Sequence, residues 1–283
     1  MAAALAVRGG PRYRAAMIEP WLFASPPARA RDPQVALFVF GKGPLAGGPE
    51  LSMARFGAPS REAVAGIGVQ TIERARDAAW FDAFRSGSLR AIATQDLGPQ
   101  LAELDAADHV HVVSAAPRAV TDLSYLQAAW AIVRWLGARG GQLVLDAMAM
   151  TFVPLAHVQG AGEPLDVRRE VRVVYETNTA RPDRAHALHT RGMKKFGAPD
   201  IVALCTDEDV PLVGQAISEL ADQVARGADL ATPKHAVEIA PGVRWVAVAD
   251  EHRLGELLQL NNEARVLVDE RGHDLMGVMR PVS

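Results

Sequence analysis

Short apolar runs alternate with polar and glycine-rich segments along the first half of the chain. Residues 35–40 (VALFVF) and 109–113 (HVHVV) are rich in β-branched and aromatic side chains, which predicts two strands. Residues 143–145 predict a third strand, and residues 60–85 show helical spacing. Within residues 121–140, apolar side chains recur every three or four positions and predict an amphipathic helix. Its apolar face comprises Leu123, Leu126, Trp130, Val133 and Leu136.

The second half repeats this alternation with shorter elements. Residues 171–177 (VRVVYET) and 201–204 predict strands. Between them, residues 178–199 are polar and rich in His, Arg and Gly, which predicts a loop. A helix with one apolar face follows, and further strands are predicted at 243–248 and 265–268. The helix face comprises Val213, Ile217, Leu220 and Val224.

Changes in composition divide the chain into an arm and two lobes. Residues 1–34 are rich in Ala, Arg and Pro and predict an extended, disordered N-terminal arm. Residues 159–166 (QGAGEPLD) resemble a linker, so we expect a first α/β lobe at 35–158 and a second at 167–283. Short strands and helices at irregular spacing predict an α+β fold. We expect two mixed α/β lobes with helices packed on one face of each sheet.

One short pattern, Met-x-x-Phe-Gly-Ala-Pro, occurs twice. It covers residues 53–59 (MARFGAP) and residues 193–199 (MKKFGAP). Internal repeats can indicate duplicated lobes, in which case the two halves share an ancestor. The alternative is that both segments use the same turn conformation, and the sequence leaves both explanations open.

Composition and charge exclude several classes of protein. The chain has 283 residues, of which 49% are hydrophobic and 22% charged, as in globular proteins. A net charge of −3 gives no overall attraction to nucleic acid or acidic membranes. Cys205 is the single cysteine, which excludes an internal disulfide and a thiolate metal cage. No apolar run approaches the roughly 20 residues of a membrane helix, so we expect a cytoplasmic protein.

Three segments carry residue types used in nucleotide or metal binding, and each fits an ordinary structural role better. Residues 41–46 (GKGPLA) match a dinucleotide fingerprint in spacing, but the prolines and glycines around them oppose the helix that must follow. His109 and His111 share one face of a strand without further ligands nearby. A third set matches no ligand spacing, so we expect neither metal nor cofactor. That set is Asp183, His186, His189, Asp200 and Cys205.

The most distinctive polar stretch is the basic segment 181–195. Five basic residues there accompany a single aspartate, Asp183. Clustered arginines bind phosphate or carboxylate groups in bidentate fashion, which suits an anionic ligand or an acidic partner. The alternative is a solvated loop with local ion pairs. The candidate binding residues are Arg181, Arg184, His186, His189, Arg191, Lys194 and Lys195.

Residues 189–200 (HTRGMKKFGAPD), with the strands predicted on either side, resemble the bacterial domain-of-unknown-function family 4261 (DUF4261). In that family a Thr-x-Gly-x-x-x-Phe-Gly-x-Pro-Glu/Asp stretch lies between strands. The likeness is good over residues 170–227 and loose over 105–150. It implies an architectural turn and an accessory protein, in some members a toxin-immunity protein, with no established activity. The matching residues are Thr190, Gly192, Phe196, Gly197, Pro199 and Asp200.

Two functional hypotheses from different classes follow. The first is a non-enzymatic cytoplasmic binding or accessory (immunity-like) protein that recognises a protein partner, with the basic segment 181–195 as its contact. The second is a small-anion or nucleotide-ligand binding domain, or an enzyme, that uses the arginines and histidines of the same segment. A concave pocket lined by converging Arg and His groups favours the second hypothesis. A surface with an apolar patch favours the first.

Overall fold

The chain folds into two compact units. The computed structural model describes residues 18–24, 27, 31–45, 50–177, 186–230, 236–240, 243–251 and 253–269. The first unit contains Met1–Leu22 and Asp32–Leu165, and the second contains Phe23–Arg31 and Asp166–Ser283. The division therefore falls at the end of the linker-like segment 159–166. Of the residues that the sequence assigned to an N-terminal arm, the described residues Phe23, Ala24, Pro27 and Arg31 belong to the second unit.

The first unit is built on a five-stranded antiparallel sheet of order β2-β3-β1-β4-β5. The strands are β1 (Val35–Gly41), β2 (Gly68–Glu73), β3 (His109–Ala115), β4 (Gly141–Asp146) and β5 (Thr151–Pro154). Its helices are α1 (Met53–Phe56), α2 (Arg61–Ala65), α3 (Ala78–Ala83), α4 (Gly87–Leu97), α5 (Leu101–Ala106) and α6 (Ser124–Gly137).

Helices cover both faces of the first sheet, whereas the sequence led us to expect them on one face. Gly141 lies between Val39 of β1 and Leu136 of α6, because a Cβ atom added to this glycine would meet both residues. The helix α6 therefore covers the face of the sheet that carries Val39. On the opposite face, Phe40 packs with side chains of α3, α4 and α5 in an aromatic core. The strand β1 supports both layers because its alternate side chains are apolar on each side.

The second unit is built on a six-stranded mixed sheet of order β6-β7-β8-β11-β10-β9, in which only β8 and β11 run parallel among the described strands. The strands are β6 (Arg172–Glu176), β7 (His186–Arg191), β8 (Asp200–Cys205), β9 (Ala236–Ala240), β10 (Val243–Ala249) and β11 (Ala264–Asp269). Its helices are α7 (Val167–Glu170), α8 (Val210–Ala225) and α9 (Leu254–Leu257).

The predicted α+β fold with two sheets is confirmed, and most predicted elements are present. The helix α6 carries the predicted apolar stripe, and Asp122 Oδ1 accepts a hydrogen bond from the Ser124 amide at its start. The expectation of helical structure throughout residues 60–85 is wrong, because Ile72 lies in β2 between two short helices. Within the described part of the chain, no helix is both long and apolar enough to cross a membrane.

The repeated heptapeptide forms the same turn in both units. In each copy the phenylalanine is buried and the glycine after it has a positive φ, 76° at Gly57 and 61° at Gly197. The amide of the next alanine donates to the carbonyl oxygen of the first methionine, at 2.9 Å in the first copy and 3.2 Å in the second. This is the bond pattern of a Schellman cap. The strand orders of the two sheets differ, so the likeness is one of turn geometry.

Candidate functional site

The polar segment 178–199 does not form the predicted loop throughout. Residues 178–185, with Arg181 and Arg184, lie outside the described residues. Residues 186–191 form β7, which pairs antiparallel with β6 on one side and β8 on the other. An interior strand buries its side chains on both faces, and His186, His189 and Thr190 are accordingly buried. A strand buried on both faces has no period-two pattern, and three of its five buried positions, His186, His189 and Thr190, are polar, so the sequence did not indicate it.

Two side chains of the family-like motif join β7, the following turn and β8. The hydroxyl of Thr190 donates to Asp200 Oδ1 at 2.9 Å and accepts from the Ile201 amide at 2.8 Å. The Met193 amide also points at Asp200 Oδ1, at 3.4 Å. Gly192 and Gly197, both with positive φ, bracket the turn, and Phe196 anchors it in the core. In the folded chain these residues of the motif therefore stabilise the turn between β7 and β8.

Asp200 is a fully buried carboxyl group with an incomplete set of partners. Burial raises the pKa of Asp200 to about 6, against the opposing effects of Asn262, Thr190, the Met193 amide and Arg191. Its Oδ2 atom has no hydrogen-bond partner among the described residues. The amide of Asn262 lies nearby but donates to the carbonyl oxygen of Ala198 at 2.8 Å.

Lys195, a predicted binding residue, is fully buried in an ion pair. Its Nζ lies 2.5 Å from Glu170 Oε2, and the two side chains are 0% and 2% exposed. The pair connects α7 to the turn before β8, so the lysine is directed into the protein. Sequence reasoning did not single out Glu170, because its partner is 25 residues further along the chain.

The other two described cations of the basic segment also donate to the protein. The guanidinium of Arg191 donates to the carbonyl oxygens of Leu258 and Gln259, at 3.0 and 3.3 Å. Lys194 Nζ donates to the carbonyl oxygen of Asn261 at 3.1 Å. Both side chains therefore hold the segment between α9 and β11 against the turn. These two basic side chains lie close together, but both donate hydrogen bonds to main-chain oxygens of the protein.

His189 is buried beside a carboxylate. Its Nε2 lies 3.1 Å from Glu176 Oε1, and its Nδ1 lies 3.3 Å from the Thr190 carbonyl oxygen. Burial lowers the pKa of His189, and the Glu176 contact opposes this shift. The ring is therefore mainly neutral at pH 7 and links β7 to the edge strand β6.

His186, Asp207, Tyr175 and Cys205 form the nearest approach to a catalytic cluster. His186 Nε2 lies 2.8 Å from Asp207 Oδ1, and the Tyr175 hydroxyl donates to the same oxygen at 3.1 Å. Cys205 lies opposite His186 in the β7–β8 register. Burial, with added repulsion from Asp209 and Asp207, raises the pKa of the Cys205 thiol to about 11. Because nucleophilic attack needs the thiolate, this environment opposes a catalytic cysteine.

Native Cys205 should therefore react slowly with thiol reagents. At pH 8 we expect labelling by a disulfide reagent to be at least about tenfold slower than in the urea-unfolded chain, because the thiol is buried and protonated. Absorbance of the released thiol measures both rates on the same sample. Equal rates in the two states would show an activated, accessible thiol and would contradict this interpretation.

Metal binding gains no support from the described residues. Among them, no group of three or more His, Cys, Asp or Glu side chains is arranged to hold a metal ion. His109 and His111 contact different protein groups, Asp108 Oδ1 at 2.7 Å and Thr71 Oγ1 at 2.9 Å. Asp183 lies outside the described part of the chain, and Asp200 is tied to Thr190.

A surface that sequence reasoning did not find lies at β6. This strand is at the edge of the second sheet as far as the chain is described, and Tyr175 on it is 42% exposed. Beside it, β6, α7 and α8 enclose an open, mainly apolar pocket. We call the strand and pocket together the edge surface. The pocket is lined by Val167, Arg168, Val171, Val173, Ser218 and Ala221.

Comparisons with known proteins returned no match. No family model matches the chain, and no curated protein or solved structure does so. The resemblance to family 4261 therefore remains a prediction carried by the motif at residues 189–200. The second unit thus has two candidate regions, the buried motif and the edge surface.

Proposed function

We propose that this chain is a non-enzymatic binding protein whose protein partner docks on the edge surface. The observation that carries the proposal is the combination of an edge strand and an apolar pocket beside it. Edge strands present unpaired N–H and C=O groups, to which an extended segment of a partner adds as a further strand. Neighbouring pockets then select the partner's side chains.

The chemistry of the edge surface suits a partner strand with a mixed sequence. The middle of β6 is apolar, with Val173, Val174 and Tyr175 in succession. Arg172 and Glu176 place opposite charges at the two ends of the strand. A partner strand with apolar residues at its centre and charges of the matching sign at its ends complements this surface. An accessory or immunity-like role is the form of this proposal that the family resemblance favours.

The alternative function, a small-anion ligand or an enzyme using the basic segment, has less support. Arg191, Lys194 and Lys195 all donate to protein oxygens, and His189 contacts Glu176. An anion would have to displace these contacts before it could bind the described basic residues of the segment. The mainly apolar pocket of the edge surface has one lining cation, Arg168.

A capture experiment with two matched variants tests the proposal. Tyr175→Arg places a charge at the centre of β6, whereas Leu212→Arg makes the same kind of change at a residue of equal exposure on α8, 41% against 42%. Leu212 does not line the pocket. The tagged full chain, mixed with an untagged copy and a lysate of the source organism, should retain a stoichiometric partner. Tyr175→Arg should reduce its recovery at least about tenfold, and Leu212→Arg should leave it unchanged.

Two results would contradict the proposed function. One is a partner that all three proteins retain equally, because binding would then occur at another face. The other is a wild-type chain that retains neither a second protein nor its own untagged copy. Circular dichroism of both variants serves as the control for folding.

A further inference from the structure

The edge strand β6 has a sequence that complements itself. The strand reads Arg172-Val-Val-Tyr-Glu176. If two copies of it lie antiparallel, the arginine of each copy lies opposite the glutamate of the other. Resting on the proposed function, we propose that the partner at the edge surface is a second copy of this chain. In this dimer the two β6 strands pair antiparallel about a two-fold axis at Val174 and extend the sheet across both copies.

The register about Val174 determines every cross-strand pair. Arg172 of each copy lies opposite Glu176 of the other, and Val173 of each lies opposite Tyr175 of the other. Opposite charges and aromatic–β-branched pairs are both favourable neighbours across antiparallel strands. Because the two-fold axis repeats each pair, a single substitution changes two contacts in the dimer.

In the proposed dimer, Tyr175 of the second copy lies on the same face of the sheet as the pocket. In the β6–β7 register, Val173 and Tyr175 lie opposite Thr190 and Leu188. This is the face covered by α8, because a Cβ atom added at Gly214 would meet Leu188. Val173 also lines the pocket. Tyr175 of the second copy, directly opposite Val173, therefore lies at the margin of the apolar lining, while its hydroxyl stays on Asp207 of its own chain.

The charges lie on the other face, where Glu176 also approaches His189. The Glu176 side chain is 43% exposed, and one of its oxygens lies 3.1 Å from His189 Nε2. A carboxylate has acceptor sites on two oxygens, so it can contact His189 and Arg172 of the second copy together. Edge strands of monomeric proteins are usually protected by inward-pointing charges, prolines or bulges. The centre of β6 carries no such residue, which suits a strand that pairs.

Charge reversal and mixing test this dimer with the full chain. Light scattering after size exclusion should give the wild-type protein a mass twice the 30.3 kDa of one chain. Arg172→Glu places like charges opposite Glu176 at both ends of the pair, and Glu176→Arg does the same with positive charges. Each variant should weaken the dimer by about 10- to 100-fold in Kd. An equimolar mixture should recover it, because every cross-strand pair in the mixed dimer is again of opposite sign.

The control variant is Glu263→Arg, a charge reversal at an exposed position just before β11 of the same sheet. It should leave the mass at that of the dimer. A monomeric wild-type protein would overturn the proposal, as would a dimer that both single variants leave intact or a mixture that does not recover. These results differ from failure of the proposed function. A monomer whose capture of another protein is lost in Tyr175→Arg still uses the edge surface, with a different partner.

Discussion

Replacing Lys195 by methionine should lower the free energy of unfolding of the second unit by about 3–5 kcal/mol. The variant leaves Glu170 charged and only 2% exposed, without the ammonium group that lies 2.5 Å from it in the native protein. Removing both charges is expected to be far less harmful. The double variant Lys195→Met with Glu170→Leu should return to within about 1 kcal/mol of the wild type, because apolar side chains of similar size replace a buried ion pair well.

Hydrogen exchange at increasing urea concentrations, followed on peptides of β8, measures this stability within the second unit. Lys194→Met is the matched control, because its half-buried side chain donates to a neutral main-chain oxygen, that of Asn261. We expect the control to cost about 1 kcal/mol or less. A double variant as unstable as Lys195→Met alone would show that the loss comes from packing and not from removal of the ammonium group beside Glu170.

Raising the pH from 4 to 7 should destabilise the second unit through Asp200. Burial raises the pKa of Asp200 from 3.8 to about 6 in the folded protein. The folded state therefore retains a proton that the unfolded chain releases, and this contribution to stability is complete below pH 3.8 and lost as pH rises through about 6. A difference of roughly two pH units corresponds to about 3 kcal/mol at pH 7.

Comparison with Asp200→Asn isolates this effect from the other titrating groups. The amide oxygen of asparagine can still accept from Thr190 and Met193, so the variant should gain up to about 3 kcal/mol relative to wild type between pH 4 and pH 7. Glu208→Gln, at an exposed position just before α8, controls for the loss of a negative charge. If wild type and Asp200→Asn had parallel stability profiles over this range, the raised pKa would be wrong.

The elements that the sequence predicted well each have one strong local pattern of apolar residues. The helices α6 and α8 have long apolar stripes, and β1, β3 and β4 are short apolar runs bounded by polar residues. In these segments the local pattern and the packing of the unit agree, so the prediction needs no knowledge of distant contacts.

The burial of the candidate binding segment could not be predicted, because its polar side chains occupy positions that the pattern assigns to the surface. His186, His189 and Thr190 on β7 are polar residues in buried positions, and each contacts a carboxylate, that of Asp207, Glu176 and Asp200 respectively, which the sequence does not place nearby. Lys195 shows the same problem, because Glu170 becomes its neighbour only after α7 packs beside the turn. A charge count along the chain cannot distinguish a solvated cation from one that is paired in the interior.

The edge surface could not be predicted for a topological reason. The residues 171–177 were assigned to a strand, but nothing in their pattern indicates whether the strand is central or at the edge. That property depends on the strand order, which places β6 beside β7 alone among the described strands. The pocket likewise requires α7 and α8, which are far apart in the sequence, to meet β6.

Hydrogen exchange of the wild-type chain, compared between dilute and concentrated solution, tests the central claim most directly. The claim is that the chain binds through β6, while the motif at residues 189–200 serves the fold. We expect peptides covering residues 172–176 to become protected in the concentrated sample, as their outward amides pair across the two-fold axis. Peptides covering residues 193–200 should exchange equally in both. Protection confined to residues 193–200, with β6 unchanged, would contradict the account.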